Sequence, residues 1–231
     1  MRGRGTDTLP LMAELHPLPL RDDPVRRIGQ LLLGLALFAL GEALIVDAAL
    51  GVLPWDVLGQ GLVNHFGLTL GAWSVIVAVI VLLAWIPLRE RPGLGTLANA
   101  LLIGLLLDPF LRALPDPSQL WVRVAYLLAG VALNGLGSAV YIGSRLGPGP
   151  RDGVMTGLVR VTGRSVRLIR TCLEVTVVVI GFALGGNLGL GTLLYALAIG
   201  PIIHAFLPHV LYAPNGAPGA ATEEEDADRG D

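Results

Sequence analysis

Residues 50–56 read Leu50-Gly51-Val52-Leu53-Pro54-Trp55-Asp56, and residues 146–152 read Leu146-Gly147-Pro148-Gly149-Pro150-Arg151-Asp152. The two stretches stand 96 residues apart and agree in their Leu, Gly, Pro and Asp. Working outward, the same offset lays residues 34–111 on 130–207 without a gap, and 28 of the 78 positions are identical. Apolar sequence of low complexity inflates such a count, so the rarer residues carry the argument. Gly34 and Gly41 fall on Gly130 and Gly137, Gly61-Leu62-Val63 on Gly157-Leu158-Val159, and the run GLGTL at 93–97 recurs at 189–193. The chain is an internal duplication.

Between these markers the sequence is too apolar for a soluble domain. Of 231 residues 53% are hydrophobic and 15% charged, against about 25% charged in an average soluble domain, and the mean hydropathy is +0.69. A helix needs roughly 20 apolar residues to cross ~30 Å of hydrocarbon. Apolar runs of that length predict six transmembrane helices at 28–49, 69–88, 94–113, 120–142, 168–186 and 189–210. Arg89 and Arg91, then Pro115 and Pro117, then Gly185-Gly186-Asn187 separate successive runs. The segments 54–66 and 150–165 each open with Pro, carry Asp two residues later and are too short and polar to span, which predicts a short helix or re-entrant segment in each repeat. The expected organisation is a cytoplasmic polar tail (1–27, with no apolar core of a signal peptide), transmembrane repeat 1 (28–113), transmembrane repeat 2 (120–210) and an acidic, disordered cytoplasmic tail (211–231).

Three spans per copy turn the second copy upside down, so the fold class expected is an all-α membrane protein of two inverted three-helix repeats. All 16 basic residues are Arg. With the N-terminus inside, Arg21, Arg26, Arg27, Arg89, Arg91, Arg145, Arg151, Arg160, Arg164, Arg167 and Arg170 fall on the cytoplasmic side, and Arg112 and Arg123 outside. By the positive-inside rule both termini are cytoplasmic and the protein sits in the plasma (inner) membrane. Secondary transporters are often built of inverted repeats with the site between the halves near the midplane. Irregular backbone at membrane depth is tolerated only where it is buried in protein or lines a watery cavity. LGVLPWD outside and LGPGPRD inside are therefore the candidate pathway elements, with Gly51, Pro54, Gly147, Gly149 and Pro150 as re-entrant or hinge residues.

Glu42 lies about 14 residues into the first span, where a carboxylate costs several kcal/mol unless paired, protonated or wet. Its repeat counterpart is Ser138, one turn from Asn134, which predicts a polar patch near the midplane: either a hydrogen-bonded bridge between helices or a cation or proton site. Asp56 and Asp152 fall in the first turn of helices that begin with Pro, where unpaired N–H groups and the positive dipole end favour a carboxylate; structure alone accounts for them, and a gating or binding role is the other reading. Trp55 and Arg151 occupy one repeat position on opposite faces and are expected to anchor at the two interfaces. Asp47 and Asp108 fall near outer span ends, and Glu174 is four residues after Arg170, an ion-pair spacing. Gly34 and Gly41, like Gly130 and Gly137, are seven apart on one helix face, so the first and fourth spans are expected to pack closely.

The remaining chemistry is sparse. Cys172 stands alone, so no internal disulfide or CxxC site is expected; His65 and His204 lack a second ligand at metal spacing; no Ser/His/Asp motif, P-loop or basic stripe with aromatics occurs. The expectation is no enzyme, no cofactor, no metal and no nucleic-acid partner. The stretches GEALIVDAALGVLPWDVLGQGL (41–62), SRLGPGPRDGVMTGL (144–158) and 163–206 from GRSVRLIR to IIHAF resemble the YczE/YitT-like family of bacterial integral membrane proteins, over about residues 28–210. The resemblance implies a polytopic membrane protein and supplies no substrate or catalytic residue. The functional expectation is a small transporter or permease for a small molecule or ion, with Glu42, Asn134, Ser138, Asp56 and Asp152 as pathway residues. The other reading is a non-transporting scaffold or accessory subunit that contacts lipid or a partner through its Arg-rich cytoplasmic loop. Six spans are few for a complete carrier, which leaves a homodimer open.

Overall fold

The structure is a computed structural model and describes residues 17–213. Among them are nine helices and no strand: α1 (Pro24–Ala48), α2 (Pro54–Phe66), α3 (Leu70–Leu83), α4 (Trp85–Leu88), α5 (Leu94–Ala113), α6 (Leu120–Gly143), α7 (Pro150–Thr162), α8 (Val166–Ala183) and α9 (Leu190–Val210). The helix starts keep the offset of the sequence repeat. Pro24 and Leu120, Pro54 and Pro150, Leu70 and Val166, and Leu94 and Leu190 are each 96 apart. Pro opens α1, α2 and α7, where its missing N–H is one of the groups a helix start leaves unpaired in any case. Thr69 and Ser165, again equivalent, cap α3 and α8 by accepting from Ala72 and Leu168 N–H.

The centre is the pair α1 and α6, which run past one another in opposite directions. A methyl group built on Gly34 would lie 2.9 Å from the Gly137 carbonyl and one on Gly137 2.7 Å from that of Gly34; Gly41 and Gly130 stand in the same relation at 2.7 Å each way. These are backbone-to-backbone contacts that only glycine permits, and they realise the close packing expected of the two spans. The ends of the pair are tied by reciprocal arginines. Arg27 Nε donates to Ser144 O (3.0 Å) and its Nη2 to Arg145 O (3.1 Å), while Arg123 Nε donates to Ala48 O (2.7 Å) and its Nη2 to Ala49 O (2.6 Å). Each guanidinium caps the carbonyl end of the other half's first helix, the end where cations are favoured. Arg27, wholly buried, also donates to the carbonyls of Leu18 and Pro19.

Around this pair the halves exchange parts. α5 packs on α1 and α9 on α6, whereas α2 packs on α8 and α7 on α3 and α4. The turn before α2 rests on the start of α9 through Gly191 N–H to Leu50 O, and the turn before α7 rests on the start of α5 through Gly95 N–H to Leu146 O, both 2.8 Å. Gly51 (φ 111°) and Gly147 (φ 133°) make these turns in a region that side chains rarely enter, and Gly51 lies against the Gly189 backbone. Volume is exchanged as well: the Trp85 ring lies on Gly153, while at the equivalent place Val57 lies on Gly181.

The halves differ in one contact. In the first, the starts of α3 and the end of α5 are locked: a methyl on Gly104 would meet Val75 Cγ2 at 2.6 Å, Gly71 N–H donates to Asp108 Oδ1 (2.9 Å), and the Thr69 hydroxyl donates to Asp108 Oδ2. In the second, α8 and α9 do not pack together, and Gly200, the counterpart of Gly104, has open space beside it. Arg167 stands where Gly71 stands in the first half, a side chain too large for the same approach.

Several expected boundaries shift. α1 starts at Pro24 rather than 28, so the last four residues of the expected tail are helical, drawn in by the buried Arg27. The span at 69–88 breaks at Ala84, because Pro87 cannot donate to the carbonyl of Leu83 four residues back. The segment at 150–165 ends at Thr162, where Gly163 (φ 66°) turns the chain. Five helical stretches are long and apolar enough to cross a membrane: α1, α3 with α4, α5, α6 and α9. The other expected span, 168–186, is α8, 18 residues that carry Arg167, Arg170 and Glu174. Beyond α9, Tyr212 is buried, its N–H on Gly143 O (2.9 Å) and its ring under Arg27; the expected acidic tail from 214 on and residues 1–16 lie outside the described residues.

Gly137→Leu should lower the melting temperature of the purified protein by several degrees or prevent its accumulation, because a side chain there drives two helix backbones apart, at a cost of about 1–3 kcal/mol or more. Gly29→Ala, on the same helix pair but facing open space, should leave melting unchanged or raise it slightly.

Candidate functional site

The short helices α2 and α7 start at the centre of the molecule. Their first turns face one another, and Trp55 and Arg151, equivalent in the repeat, meet there with the guanidinium carbon 4.9 Å from the ring centroid. This corrects the expectation that the two anchor at opposite membrane interfaces. The reason is packing: the turn at Leu50-Gly51 is held on α9 and the turn at Leu146-Gly147 on α5, so both Pro-initiated helices begin deep between the halves. A cation over an aromatic face is attracted by the ring's quadrupole, about 0.5–2 kcal/mol as water is excluded.

Glu42 of α1 lies beside this junction and is fully buried. No backbone group and no basic or hydroxyl side chain satisfies its carboxyl oxygens or Oδ2 of the buried Asp56; the partner each has is the other carboxyl, which takes a proton between them to make a hydrogen bond. The two carboxyl groups are close enough to act directly on one another, with Arg151 as the nearest positive charge. Among the described residues Arg151 makes no ion pair at contact distance; its charge lies on Trp55. The structure thus sets a buried carboxyl pair beside one guanidinium.

The other wall comes from α5, α6, α7 and α9. Around Gly149, the residue before Pro150, stand Asp152 Oδ2, Tyr141 Oη and Asn99 Nδ2, 3.1, 3.2 and 3.6 Å from where a β-carbon would be. A side chain at Gly149 would press on this polar cluster. Asn134 is buried and bridges three helices: its Nδ2 donates to Phe38 O of α1 (3.1 Å) and its Oδ1 accepts from the Tyr195 hydroxyl of α9 (2.8 Å). Ser138, one turn further along α6, is also buried. Asp152 and Tyr195 are only partly buried, on the side where α8 and α9 stand apart, and Arg170 of α8 reaches electrostatically toward both.

The residues chosen from sequence therefore divide. Glu42, Asp56 and Asp152 come together at the junction, and Gly51, Pro54, Gly147, Gly149 and Pro150 build its turns. Asn134 is the interhelical bridge that the polar patch predicts, whereas Glu42 turns to the Asp56 carboxyl of α2. Sequence reading missed Trp55 and Arg151 as a pair, and Tyr141, Tyr195 and Asn99 entirely. Asn99 and Tyr195 stand 96 apart, a signal hidden because the residues differ. Asp108 locks α3 to α5. Glu174 pairs with Arg170 at 2.9 Å, as their spacing requires. A separate open depression of about 360 Å³, lined by Val46, Gln60, Asn64, Leu70 and Asn187 among others, includes none of the junction residues. No cluster of three or more His, Cys, Asp or Glu side chains fit to hold a metal occurs among the described residues.

Membrane-length helices wrapped about a buried polar junction define a polytopic membrane protein. The chain belongs to the YczE-like proteins, a family of unknown function (DUF6198) matched over residues 25–208. It is 39% identical to an uncharacterized protein of Haemophilus influenzae, covering 81% of this chain and 88% of that one. It is 38% identical to the uncharacterized membrane protein YczE of Bacillus subtilis (80% and 86%) and 30% identical to YyaS of the same organism (77% and 90%). No solved structure matches the chain.

Tyr195→Phe should cost about 1–3 kcal/mol of stability, because it strands the buried Asn134 Oδ1 without a donor. Tyr126→Phe, which removes an exposed bond to Pro115 O, should be neutral in the same thermal melt.

Proposed function

We propose that the protein is a small secondary transporter of the plasma membrane, built from two inverted three-span halves, with its substrate site at the junction of α2 and α7. The observation that carries the reading is the meeting of Trp55 with Arg151 beside the buried carboxyl pair of Glu42 and Asp56. Two halves related by an axis in the membrane plane bring repeat counterparts together only near that axis, at mid-depth, which is where transporters of this construction bind substrate. A buried ionisable group is costly in a membrane and marks function more often than structure. The spans in this reading are α1, α3 with α4, α5, α6, α8 and α9, both termini are cytoplasmic, and α8 tolerates its charges because α2 and α7 cover part of it.

The unequal halves support the same reading. α3 and α5 are locked on one side of the junction, whereas α8 and α9 stand apart on the other. Unequal packing on the two sides of a site is what alternating access requires of any single state. By the Arg distribution the side where α8 and α9 stand apart faces the cytoplasm.

Topology and binding are separately testable. In a Cys172→Ser background, single cysteines at Phe66 and Thr162, exposed ends of α2 and α7 that are 96 apart, should react with an impermeant maleimide from opposite sides of the membrane; labelling from one side rules out inverted halves. Thermal melting of the detergent-purified protein against ions and metabolites should reveal a ligand that stabilises the wild type by RT ln(1 + [L]/Kd) and fails to stabilise Glu42→Gln. With no stabilising ligand and an unaltered Glu42→Gln, the non-transporting scaffold becomes the better reading.

A further inference from the structure

The charges around the junction are unbalanced. Glu42, Asp56 and Asp152 supply three carboxyl groups and Arg151 one guanidinium; Arg170, at the rim, is already paired with Glu174. The N-termini of α2 and α7 would favour an anion, yet each first turn carries its own aspartate, Asp56 and Asp152, which answers the local dipole. What remains unanswered is the buried carboxyl pair of Glu42 and Asp56, whose oxygens have no donor beyond one another, next to Trp55 and the guanidinium on its ring. Carboxylates facing an aromatic ring make a recess for a cation. The charge that now lies on that ring is a side chain of the protein, Arg151.

We propose that the junction takes a small organic cation, a molecule bearing a guanidinium or ammonium group, with Glu42 and Asp56 as its anionic partners and Trp55 as its aromatic face, and that Arg151 holds this place when the ligand is absent. The inference rests on the reading of the junction as a substrate site and adds the class of substrate. It explains why Arg151 is only partly buried and makes no ion pair among the described residues: a fully bonded arginine would not yield. Asp152, which already feels the Arg151 charge, is the carboxylate that receives Arg151 once displaced. Tyr141, Tyr195 and Asn99 supply the hydroxyl and amide dipoles that line the remaining space.

The test uses the full chain in detergent with methylguanidinium and methylammonium chlorides as probes, and sodium acetate and phosphate as anion controls, read by thermal melting. The cations should stabilise the wild type. In Arg151→Gln the concentration giving half the shift should fall at least tenfold, because the internal competitor is gone, and in Glu42→Gln the shift should vanish. An independent readout needs neither variant: methylguanidinium should change the tryptophan fluorescence of the wild type and leave that of Trp55→Phe unaltered. If anions stabilise the protein and that effect requires Arg151, the substrate class is wrong while the site stands. If the cations act equally on wild type and Glu42→Gln, or leave wild-type fluorescence and melting unmoved, the cation site is overturned; should the wider metabolite screen also find nothing, the substrate-site reading falls with it.

Discussion

Everything in this protein depends on two helix backbones touching. Gly34, Gly41, Gly130 and Gly137 let α1 and α6 approach until carbonyls lie where side chains would be, and Arg27 and Arg123 hold the two ends of the pair by the carbonyls that a helix C-terminus leaves free. In a bilayer no hydrophobic force drives helices together, so close van der Waals packing and hydrogen bonds between helices must do so. The contact has a geometric consequence for the site. With the first helices of both halves pressed together, the turns that follow them, at Gly51 and Gly147, reach across to the opposite half, and the Pro-initiated helices start inside the molecule instead of on its surface.

That interior start makes the electrostatics unusual. Trp55, Asp56, Arg151 and Asp152 are residues a sequence reader places at interfaces and helix caps, where water keeps their charges inexpensive. Here they share a space with Glu42, in which each charge is felt by the others and a missing partner is a real cost. Asn134, with both ends of its amide satisfied by Phe38 and Tyr195, marks the difference between a polar group that holds the fold together and one left open for something else.

The architecture was legible to the degree that it follows from period and repeat. The duplication, the span positions, the glycine faces of α1 and α6 and the short helices after Pro54 and Pro150 all come from local pattern and a fixed offset. The depth of those short helices was not legible, because it is set by the packing of Gly51 on Gly189 and of Gly147 on Gly93, contacts far apart in sequence. Arg27 and Arg123 obey the same offset, yet rules of membrane topology assign them only to a side and say nothing of the carbonyls they cap. The difference between the halves was also hidden. A duplication implies equal packing, and the replacement of Gly71 by Arg167 acquires meaning only once Gly71 is known to touch α5.

The end of α9 lies against the start of α1: the Tyr212 hydroxyl donates to Asp23 (3.2 Å) and the Gln30 amide to Val210 O (2.6 Å). The described chain thus comes back on itself, its last helix beside its first. The link from α5 to α6 is residues 114–119, held to α6 by the Tyr126 hydroxyl on Pro115 O. A duplicated chain whose copies are held together by a six-residue link is free to let those copies diverge, as Trp55 and Arg151 have, into the unlike partners that two identical subunits are denied.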